Sequence, residues 1–178
     1  MKYIRLKSKN DNYFEHAMKI YKMSFPIFEQ RKIEDQIEVL ANEKYNCTVV
    51  CEDNELVGIL FYWEYDDSRY IEHLAITENL RGKNYGSKIL TEFCNSDKST
   101  ILEIDNPIDN ISIKRLNFYS KLGFKLQDYI HIHPPYRKEF HGHELKVMSY
   151  RNNLSNYEYE KFNTFLKYEV MKYSEIEI

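Results

Sequence analysis

Apolar and polar residues alternate along this chain with two different periods, and the two periods predict its strands and helices. Five segments place apolar residues every three or four positions, which is typical of helices, and seven shorter apolar runs between turns predict strands. The predicted strands are residues 3–6, 47–51, 56–63, 70–76, 100–104, 124–132 and 144–150. The helical stripes cover residues 14–21, 33–41, 85–93, 113–120 and 162–170.

The order of these elements predicts the fold class. One strand and two helices precede a three-stranded meander, after which helices alternate with strands. This order is typical of an α/β (α+β) fold with a mixed, mostly antiparallel twisted sheet and helices on both of its faces. Because a helix separates strands 70–76 and 100–104, and such crossovers are right-handed, we expect these two strands to be adjacent and parallel.

Length and composition indicate one folded domain without a linker. The chain has 178 residues, of which 43% are hydrophobic, and it contains only 5 Gly and 4 Pro. We expect residues 1–150 to form the domain and residues 151–178 to be its C-terminal helical extension. Ser155 and Glu158 have the spacing of a capping box that starts this last helix, and the helix could mediate a homodimer.

Charge and apolar patterning argue against several classes of partner. The net charge of −3 argues against broad nucleic-acid binding, which needs a concentrated basic surface. No apolar run approaches the roughly 20 residues of a membrane span, and the N-terminus lacks the apolar core of a signal peptide. The 3 cysteines are an odd number without metal-ligand spacing, so we expect reduced thiols and a cytoplasmic protein.

The turn that contains Gly82 and Gly86 carries the clearest chemical signal. A short apolar strand leads into it, and an amphipathic helix follows at once. A helix N-terminus presents free backbone N–H groups and the positive end of the helix dipole, and Arg81, Lys83 and Lys88 add positive charge there. The turn is neither a P-loop nor a dinucleotide-binding fingerprint. It predicts capture of a phosphate or pyrophosphate, although a plain strand-to-helix turn with a solvated basic rim would show the same sequence pattern.

A second block further along the chain supports the phosphate interpretation. Phe118, Tyr119, Gly123 and Phe124 fit the pattern aromatic-Tyr-x-x-x-Gly-Phe. Together with the glycine turn, this block resembles the GNAT superfamily of acetyl-CoA-dependent N-acyltransferases. The resemblance covers residues 3–150, because the predicted order of elements also fits the fold of that family.

The first signature of that family, Arg/Gln-x-x-Gly-x-Gly/Ala, is matched here with one departure. Arg81 and Gly86 occupy their expected places, and Asn84 stands where the first glycine is usual. Asn tolerates a positive φ better than most residues, so we expect the pyrophosphate loop to be altered only slightly.

The resemblance implies an enzyme that transfers the acetyl group of acetyl-CoA to a primary amine of a small molecule or peptide by direct attack. The residues that match the family's pyrophosphate loop are Arg81, Gly82, Lys83, Asn84, Tyr85, Gly86 and Ser87. The strand before the loop, at Leu74, Ala75 and Ile76, is implied to pair with the pantetheine arm and to hold the thioester carbonyl. Tyr119 is implied to protonate the departing thiolate, although it could instead be one more core residue among 16 tyrosines.

Two glutamates on neighbouring strands are candidates for the base that takes a proton from the amine. Glu72 lies on the strand that leads to the turn, and Glu103 lies within an apolar strand, where burial would raise its pKa. Members of the family have used a carboxylate from either strand, but each glutamate could also point to solvent. His73 is a third candidate, which strand alternation places on the face opposite Glu72 unless a bulge intervenes.

Histidines flank a Pro-Pro-Tyr hairpin near the end of the predicted sheet. His131, His133, His141 and His143 offer four imidazoles for a zinc ion. No cysteine lies close to them, so a hairpin beside a substrate cleft is the better interpretation and we expect no metal. Glu29, in the first helical region, either attracts a cationic amine or interacts only with a helix dipole.

A binding module from another functional class could use the same two blocks. A non-catalytic acyl-CoA-binding or sensing domain would need the pyrophosphate loop but not an acid and a base. Tyr119 and the available carboxylates favour the enzyme. The sequence leaves open which amine accepts the acetyl group.

Overall fold

Eight strands form a single mixed sheet in the computed structural model, which describes residues 1–176. The strands are β1 (Lys2–Leu6), β2 (Tyr45–Glu52), β3 (Glu55–Tyr65), β4 (Ser68–Ile76), β5 (Ser99–Asp105), β6 (Phe124–Leu126), β7 (His131–His133) and β8 (His143–Tyr150). Their order across the sheet is β1-β2-β3-β4-β5-β8-β6, and β7 also pairs with β8. The β4–β5 pair is parallel and the other pairs are antiparallel. The mixed, mostly antiparallel sheet predicted from the sequence is confirmed.

Helices cover both faces of this sheet. The α-helices of the described residues are α1 (Phe14–Ser24), α2 (Ile33–Glu38), α3 (Tyr85–Phe93), α4 (Asn110–Lys121) and α5 (Asn156–Phe165). Helices α1, α2 and α5 contribute to one apolar core, and α3 and α4 contribute to a second core on the other face. Within residues 1–176, no helix combines the length and the apolar character that crossing a bilayer requires.

The C-terminal helix begins as the sequence predicts. Ser155 and Glu158 form a capping box, in which each side chain satisfies a backbone N–H of the first turn. The helix continues through a π-helical turn, Leu166–Val170, and its apolar stripe, including Phe162, is buried against the sheet. That stripe therefore belongs to the core of its own chain, and a homodimer stays a prediction.

The strand predicted over residues 124–132 is wrong as one continuous element. It is divided into β6 and β7, and both pieces pair with β8. The cause lies at Gln127, whose side chain is turned into the protein, where its Oε1 accepts from the Leu154 N–H at 2.8 Å. A buried amide needs such partners, and satisfying them interrupts the regular strand.

Strands β4 and β5 separate along their length, and this separation positions the site. They pair in parallel from Ser68–Ile71 and from Ser99–Leu102, as the sequence predicts. Beyond these residues β5 pairs only with β8, and β4 only with β3. Within the part of the chain that the structure describes, the edge of β4 that faces β5 therefore has no strand partner from Glu72 to Ile76.

Candidate active site

A cleft of about 390 Å³ lies where β4 and β5 separate. Its walls come from β4, β5, α4, the end of α1 and the hairpin between β7 and β8. Of the residues that the sequence singles out, the following line it: Glu29, Glu72, His73, Leu74, Ala75, Ile76, Arg81, Glu103, Tyr119, His133 and His143. Residues 82–87 are not among the residues that line it.

A β-bulge at Glu72 changes which side chains face the cleft. Phe61 on β3 pairs with His73, and the next residue, Tyr62, pairs with Ile71, so Glu72 is the extra residue. The bulge places Glu72 and His73 on the same face of the sheet, with 3.8 Å between Oε2 and Nδ1. Simple alternation would have placed them on opposite faces.

Glu72 is a fully engaged buried carboxylate. Its Oε1 accepts from Arg31 Nη2 and from the Tyr136 hydroxyl, each at 2.6 Å, and its Oε2 accepts from Trp63 Nε1 at 3.1 Å. Burial alone would raise the pKa of Glu72, but the Arg31 guanidinium and these hydrogen bonds outweigh burial and lower the pKa to about 2. At neutral pH this carboxylate is ionised and has a partner on each oxygen.

Glu103 is also buried and also has partners on both oxygens. Alternation along β5 turns its side chain toward Tyr70, whose hydroxyl donates to it, and His131 Nε2 donates to its other oxygen. Burial would raise the pKa of Glu103, but nearby His133 and the bonds from His131 and Tyr70 together hold it below its ordinary value. The sequence-based expectation of a raised pKa is therefore wrong, because burial brings partners with it.

His73 is neutral and fixed in place. Burial lowers its pKa to about 4, more than the nearby Glu72 carboxylate raises it. Its Nε2 lies 3.0 Å from the backbone carbonyl of Glu29, and since a carbonyl can only accept, Nε2 carries the hydrogen. Its ring also packs edge-on against Tyr21 and Phe25. His73 therefore ties the segment that carries Glu29 to the bulge.

The glycine turn has the backbone of an anion-binding loop. Gly82 has φ +76° and Asn84 has φ +64°, so Asn84 adopts the left-handed conformation that its place in the motif requires. No side chain of the described residues caps α3, whereas side chains cap α4 and α5. Among residues 1–176, the first N–H groups of α3 therefore have no intrahelical or capping side-chain partner.

The two sequence blocks pack against each other. A Cβ added at Gly86 would lie 3.4 Å from Phe118 Cζ and 3.9 Å from Ile76 Cγ1. Arg81 turns back toward β4, where its Nε donates to the Ile76 carbonyl at 3.1 Å. The turn, the end of β4 and α4 thus form one continuous surface beside the cleft.

Tyr119 stands on α4 with its ring against Phe118 and Phe124. Burial raises the pKa of Tyr119, and Arg115 offsets only part of that rise, so the side chain is a neutral phenol at physiological pH. Within residues 1–176 its hydroxyl makes no hydrogen bond to another side chain. A neutral phenol that lines the cleft can donate a proton there.

Several residues of the site carry no pattern that marks them in the sequence. Arg31 and Tyr136 come from loops far from Glu72 in the chain, and only the tertiary fold brings them together. Tyr70 and Asp105 are different, because each lies two positions from a predicted glutamate on the same strand. The period of two could have placed them on the same face as Glu72 and Glu103.

The histidine hairpin lies beside the cleft, as the sequence predicts. His133 on β7 and His143 on β8 are paired in register, and both line the cleft. Within residues 1–176, no group of three or more His, Cys, Asp or Glu side chains is arranged to hold a metal ion.

Comparison with known proteins shows which class of protein this chain is similar to. A family model described as an acetyltransferase (GNAT) domain matches residues 43–126. A solved structure from Bacteroides thetaiotaomicron, provisionally described as a GNAT-family acetyltransferase, has a TM-score of 0.90 and 24% identity, with 96% of this chain and 98% of that chain covered. The structure of a Bacillus subtilis acetyltransferase in complex with CoA has a TM-score of 0.57 and 14% identity, with coverages of 84% and 97%.

A curated relative agrees with this class. The protein provisionally named acetyltransferase YjbC, from Bacillus subtilis (strain 168), is 29% identical over 104 residues. The match covers 57% of this chain and 52% of that protein, so it spans about half the length of the curated relative. The resemblance of this chain to the GNAT superfamily is therefore confirmed.

Proposed function

We propose that this protein is an N-acetyltransferase that moves the acetyl group of acetyl-CoA to a primary amine of a small molecule or peptide. One observation carries the proposal. The neutral phenol of Tyr119 and the unpaired edge of β4 line the same cleft, directly beside the uncapped start of α3. The phenol would lie near the thioester, the edge of β4 would bind the pantetheine arm, and the start of α3 would bind the pyrophosphate. This order of features fits acetyl-CoA.

The proposed position of acetyl-CoA follows from the backbone. Its pyrophosphate would meet the free N–H groups of residues 82–87, which the positive end of the α3 dipole supports. Its pantetheine arm would add to the edge of β4 at Leu74, Ala75 and Ile76, which β5 leaves open. The backbone N–H groups at the start of α3 lack a side-chain partner within residues 1–176, so they are available to bind the pyrophosphate oxygens of such a ligand.

The acceptor end of the cleft favours a positively charged amine. Glu29, Glu103 and Asp105 all line it, and Arg115 pairs with Asp105 at 2.5 Å. A primary amine is an ammonium ion at neutral pH, so this acidic end would attract it. The rings of Phe25 and Tyr136 add apolar surface for the carbon skeleton of the amine.

The proposed reaction is direct attack of the amine on the thioester. Backbone N–H groups between Leu74 and Ile76 would stabilise the oxyanion of the tetrahedral intermediate. Tyr119 would then protonate the CoA thiolate as the C–S bond breaks. Glu103 and Glu72, on neighbouring strands, are candidates for the base that takes a proton from the amine. Each must release a hydrogen-bond partner before it can accept that proton.

A non-catalytic acyl-CoA-binding module is the second candidate. The engagement of both strand carboxylates favours it, because a sensing domain needs no free base. The two candidates differ in turnover. The deciding experiment measures acetyl-CoA consumption and product mass with a polyamine, an aminoglycoside, an amino-acid amide and a peptide with a free N-terminus, beside calorimetric binding of acetyl-CoA. Binding with no acetylated product would support the sensing module.

We propose a cytoplasmic location. Cys47, Cys51 and Cys94 are free thiols in the core, which fits a reducing compartment. The net charge of −3 also fits a protein whose ligands are a small anion and an amine rather than a nucleic acid. A homodimer is compatible with this function but is not needed to complete the cleft, which one chain lines.

A further inference from the structure

Among the described residues, one carboxylate in the cleft differs from the others in having no hydrogen-bond or ion-pair partner. Glu72 and Glu103 accept hydrogen bonds on both oxygens, and Asp105 is paired with Arg115. The Glu29 carboxylate lines the same cleft, and among the described residues it forms neither a salt bridge nor a hydrogen bond. It is thus the cleft carboxylate that can accept a proton without breaking a contact.

The backbone of Glu29 is fixed although the segment is a short connection between α1 and α2. Glu29 ends a 3₁₀ turn, Ile27–Glu29, and its carbonyl accepts from His73 Nε2 at 3.0 Å. The Tyr21 hydroxyl lies 3.5 Å from the same carbonyl and accepts from the Arg31 N–H at 3.0 Å. The bulge at Glu72 therefore allows His73 to bind the Glu29 carbonyl, because a regular β4 would point this imidazole to the other face.

We propose that Glu29 is the general base that takes the proton from the acceptor amine, and that His73 is a positioning residue that holds Glu29 at the cleft. This inference rests on the proposed N-acetyltransferase function and assigns its proton acceptor. Glu103 and Glu72 then serve to hold the cleft walls together.

The charged surroundings of Glu29 suit the task. Burial, with smaller contributions from the Asp105 and Glu103 carboxylates, raises the pKa of Glu29 to about 7, and Arg115 opposes part of this rise. Burial lowers the pKa of two histidines that line the cleft, His73 and His143. The other titratable or charged residues that line it are Glu72, Arg81, His133, Tyr70, Tyr119 and Tyr136. The carboxylate therefore forms as the pH rises through about 7, and the rate should rise over the same range.

The proton balance closes with no further reactant. The bound ammonium gives one proton to Glu29, which passes it to solvent, and the neutral amine forms the C–N bond. The C–S bond breaks as the tetrahedral intermediate collapses, and Tyr119 gives its proton to the sulfur. The second proton of the nitrogen restores Tyr119. Net, one ammonium and one thioester give an amide, a CoA thiol and one proton.

The test compares Glu29→Gln with Glu15→Gln, the same change at an exposed site on α1. The substrate is the best acceptor in the amine panel. We expect Glu29→Gln to lower kcat about 10²-fold at pH 7 and to displace the rising limb near pH 7 toward higher pH. Acetyl-CoA affinity by calorimetry should stay unchanged in both variants, and Glu15→Gln should keep the full rate.

His73 is tested through the same pH profile. His73→Leu removes the donor to the Glu29 carbonyl, so kcat should fall and the limb near pH 7 should shift. His73→Gln keeps a side-chain N–H and should recover much of the rate. A loss of stability alone would lower the active fraction without moving the limb.

Three results would overturn the inference. Full kcat with an unchanged limb in Glu29→Gln would remove Glu29 from the reaction while leaving the acetyltransferase intact. A higher KM with unchanged kcat would make Glu29 a binding residue only. A wild-type protein that binds acetyl-CoA but acetylates none of the amines would reject the proposed function and the base together.

Discussion

Two acidic residues that look alike in the sequence have opposite environments in the fold. The side chain of Glu72 is 1% exposed and is bound by a guanidinium, an indole and a phenol. The carboxylate of Glu29 faces the cleft without a partner among residues 1–176. Accordingly the pKa of Glu72 is about 2, where Arg31 and its hydrogen bonds overcome the effect of burial, whereas burial raises the pKa of Glu29 to about 7. The first residue stabilises the fold and the second is free to take part in chemistry.

Glu72→Gln should destabilise the protein strongly. The change leaves the Arg31 guanidinium buried without its charge partner, and breaking such a pair costs about 3–5 kcal/mol. The measurement is the free energy of unfolding in urea, with Lys161→Gln at an exposed ion pair as the control. Equal stability of the two variants would mean that Arg31 finds another partner.

The same pair has a defined pH signature. Because the folded pKa of Glu72 lies below its unfolded value of about 4.5, its contribution is present above that value and is lost as the pH falls toward 2. The stability difference between wild type and Glu72→Gln should therefore shrink on acidification. Any kinetic test of Glu72 as a base needs this stability measurement beside it.

Tyr119→Phe isolates the proposed acid. The change removes one hydroxyl and keeps the ring between Phe118 and Phe124, so packing should survive. A thiolate can leave without being protonated, since a free thiol has a pKa of roughly 8.5. We therefore expect a loss at the modest end of general-acid catalysis, about 10²-fold in kcat. Acetyl-CoA affinity should stay the same, as should the kcat of the control Tyr157→Phe at an exposed position. Unaltered turnover, with chemistry rate-limiting, would assign Tyr119 to packing.

At the scale of elements, the proposed pyrophosphate site should depend on the backbone of the turn more than on its lysines. Gly86 lies at the uncapped start of α3, where an added Cβ would be in contact with the Phe118 ring. Gly86→Glu would put bulk and negative charge there, and we expect acetyl-CoA affinity to fall at least tenfold, or about 1.4 kcal/mol. Gly86→Ala, with its Cβ at 3.4 Å from Phe118, should cost less. Calorimetry that finds equal affinity in wild type and Gly86→Glu would place the pyrophosphate elsewhere.

The elements show which parts of the fold can be predicted from local pattern. Strands, helices, the parallel β4–β5 pair and the left-handed Asn84 follow from periodicity and turn chemistry, which act over a few residues. The bulge at Glu72 does not, because it is a property of the pairing between β3 and β4. The break in the strand at Gln127 likewise depends on Leu154, which is distant in the chain.

The same limit applies to the site. The sequence indicates Tyr119, the glycine turn and the strand before it, since these lie within two compact blocks. It offers several acids, but it contains no signal for which of them keeps a free carboxylate. That property depends on Arg31, Tyr136 and His131, which reach the acids only in the folded chain. Local sequence patterns thus do not show which distant side chains bind each buried carboxylate.

At the scale of the whole molecule, the C-terminal segment packs against the part of the fold that forms the cleft. Phe162 on α5 is fully buried and packs against the rings of Tyr70 and His131, the two residues that hold Glu103. Arg31 Nε donates to the Tyr173 carbonyl at 3.0 Å and its Nη2 donates to the Val170 carbonyl at 3.3 Å. We therefore propose that residues 151–176 and the preceding domain unfold as one unit.

Phe162→Ala tests this proposal. Truncating a buried Phe costs about 3–5 kcal/mol, and because the segment shares its core with the sheet, the loss should appear in the whole molecule. The chain has 1 Trp, Trp63 on β3, whose ring lies 5.9 Å from that of Phe165. Its fluorescence and the far-UV circular dichroism should follow a single urea transition, shifted equally for both probes. The exposed control Tyr168→Ala should leave the midpoint unchanged. Two separate transitions would show that the C-terminal segment is a distinct unit.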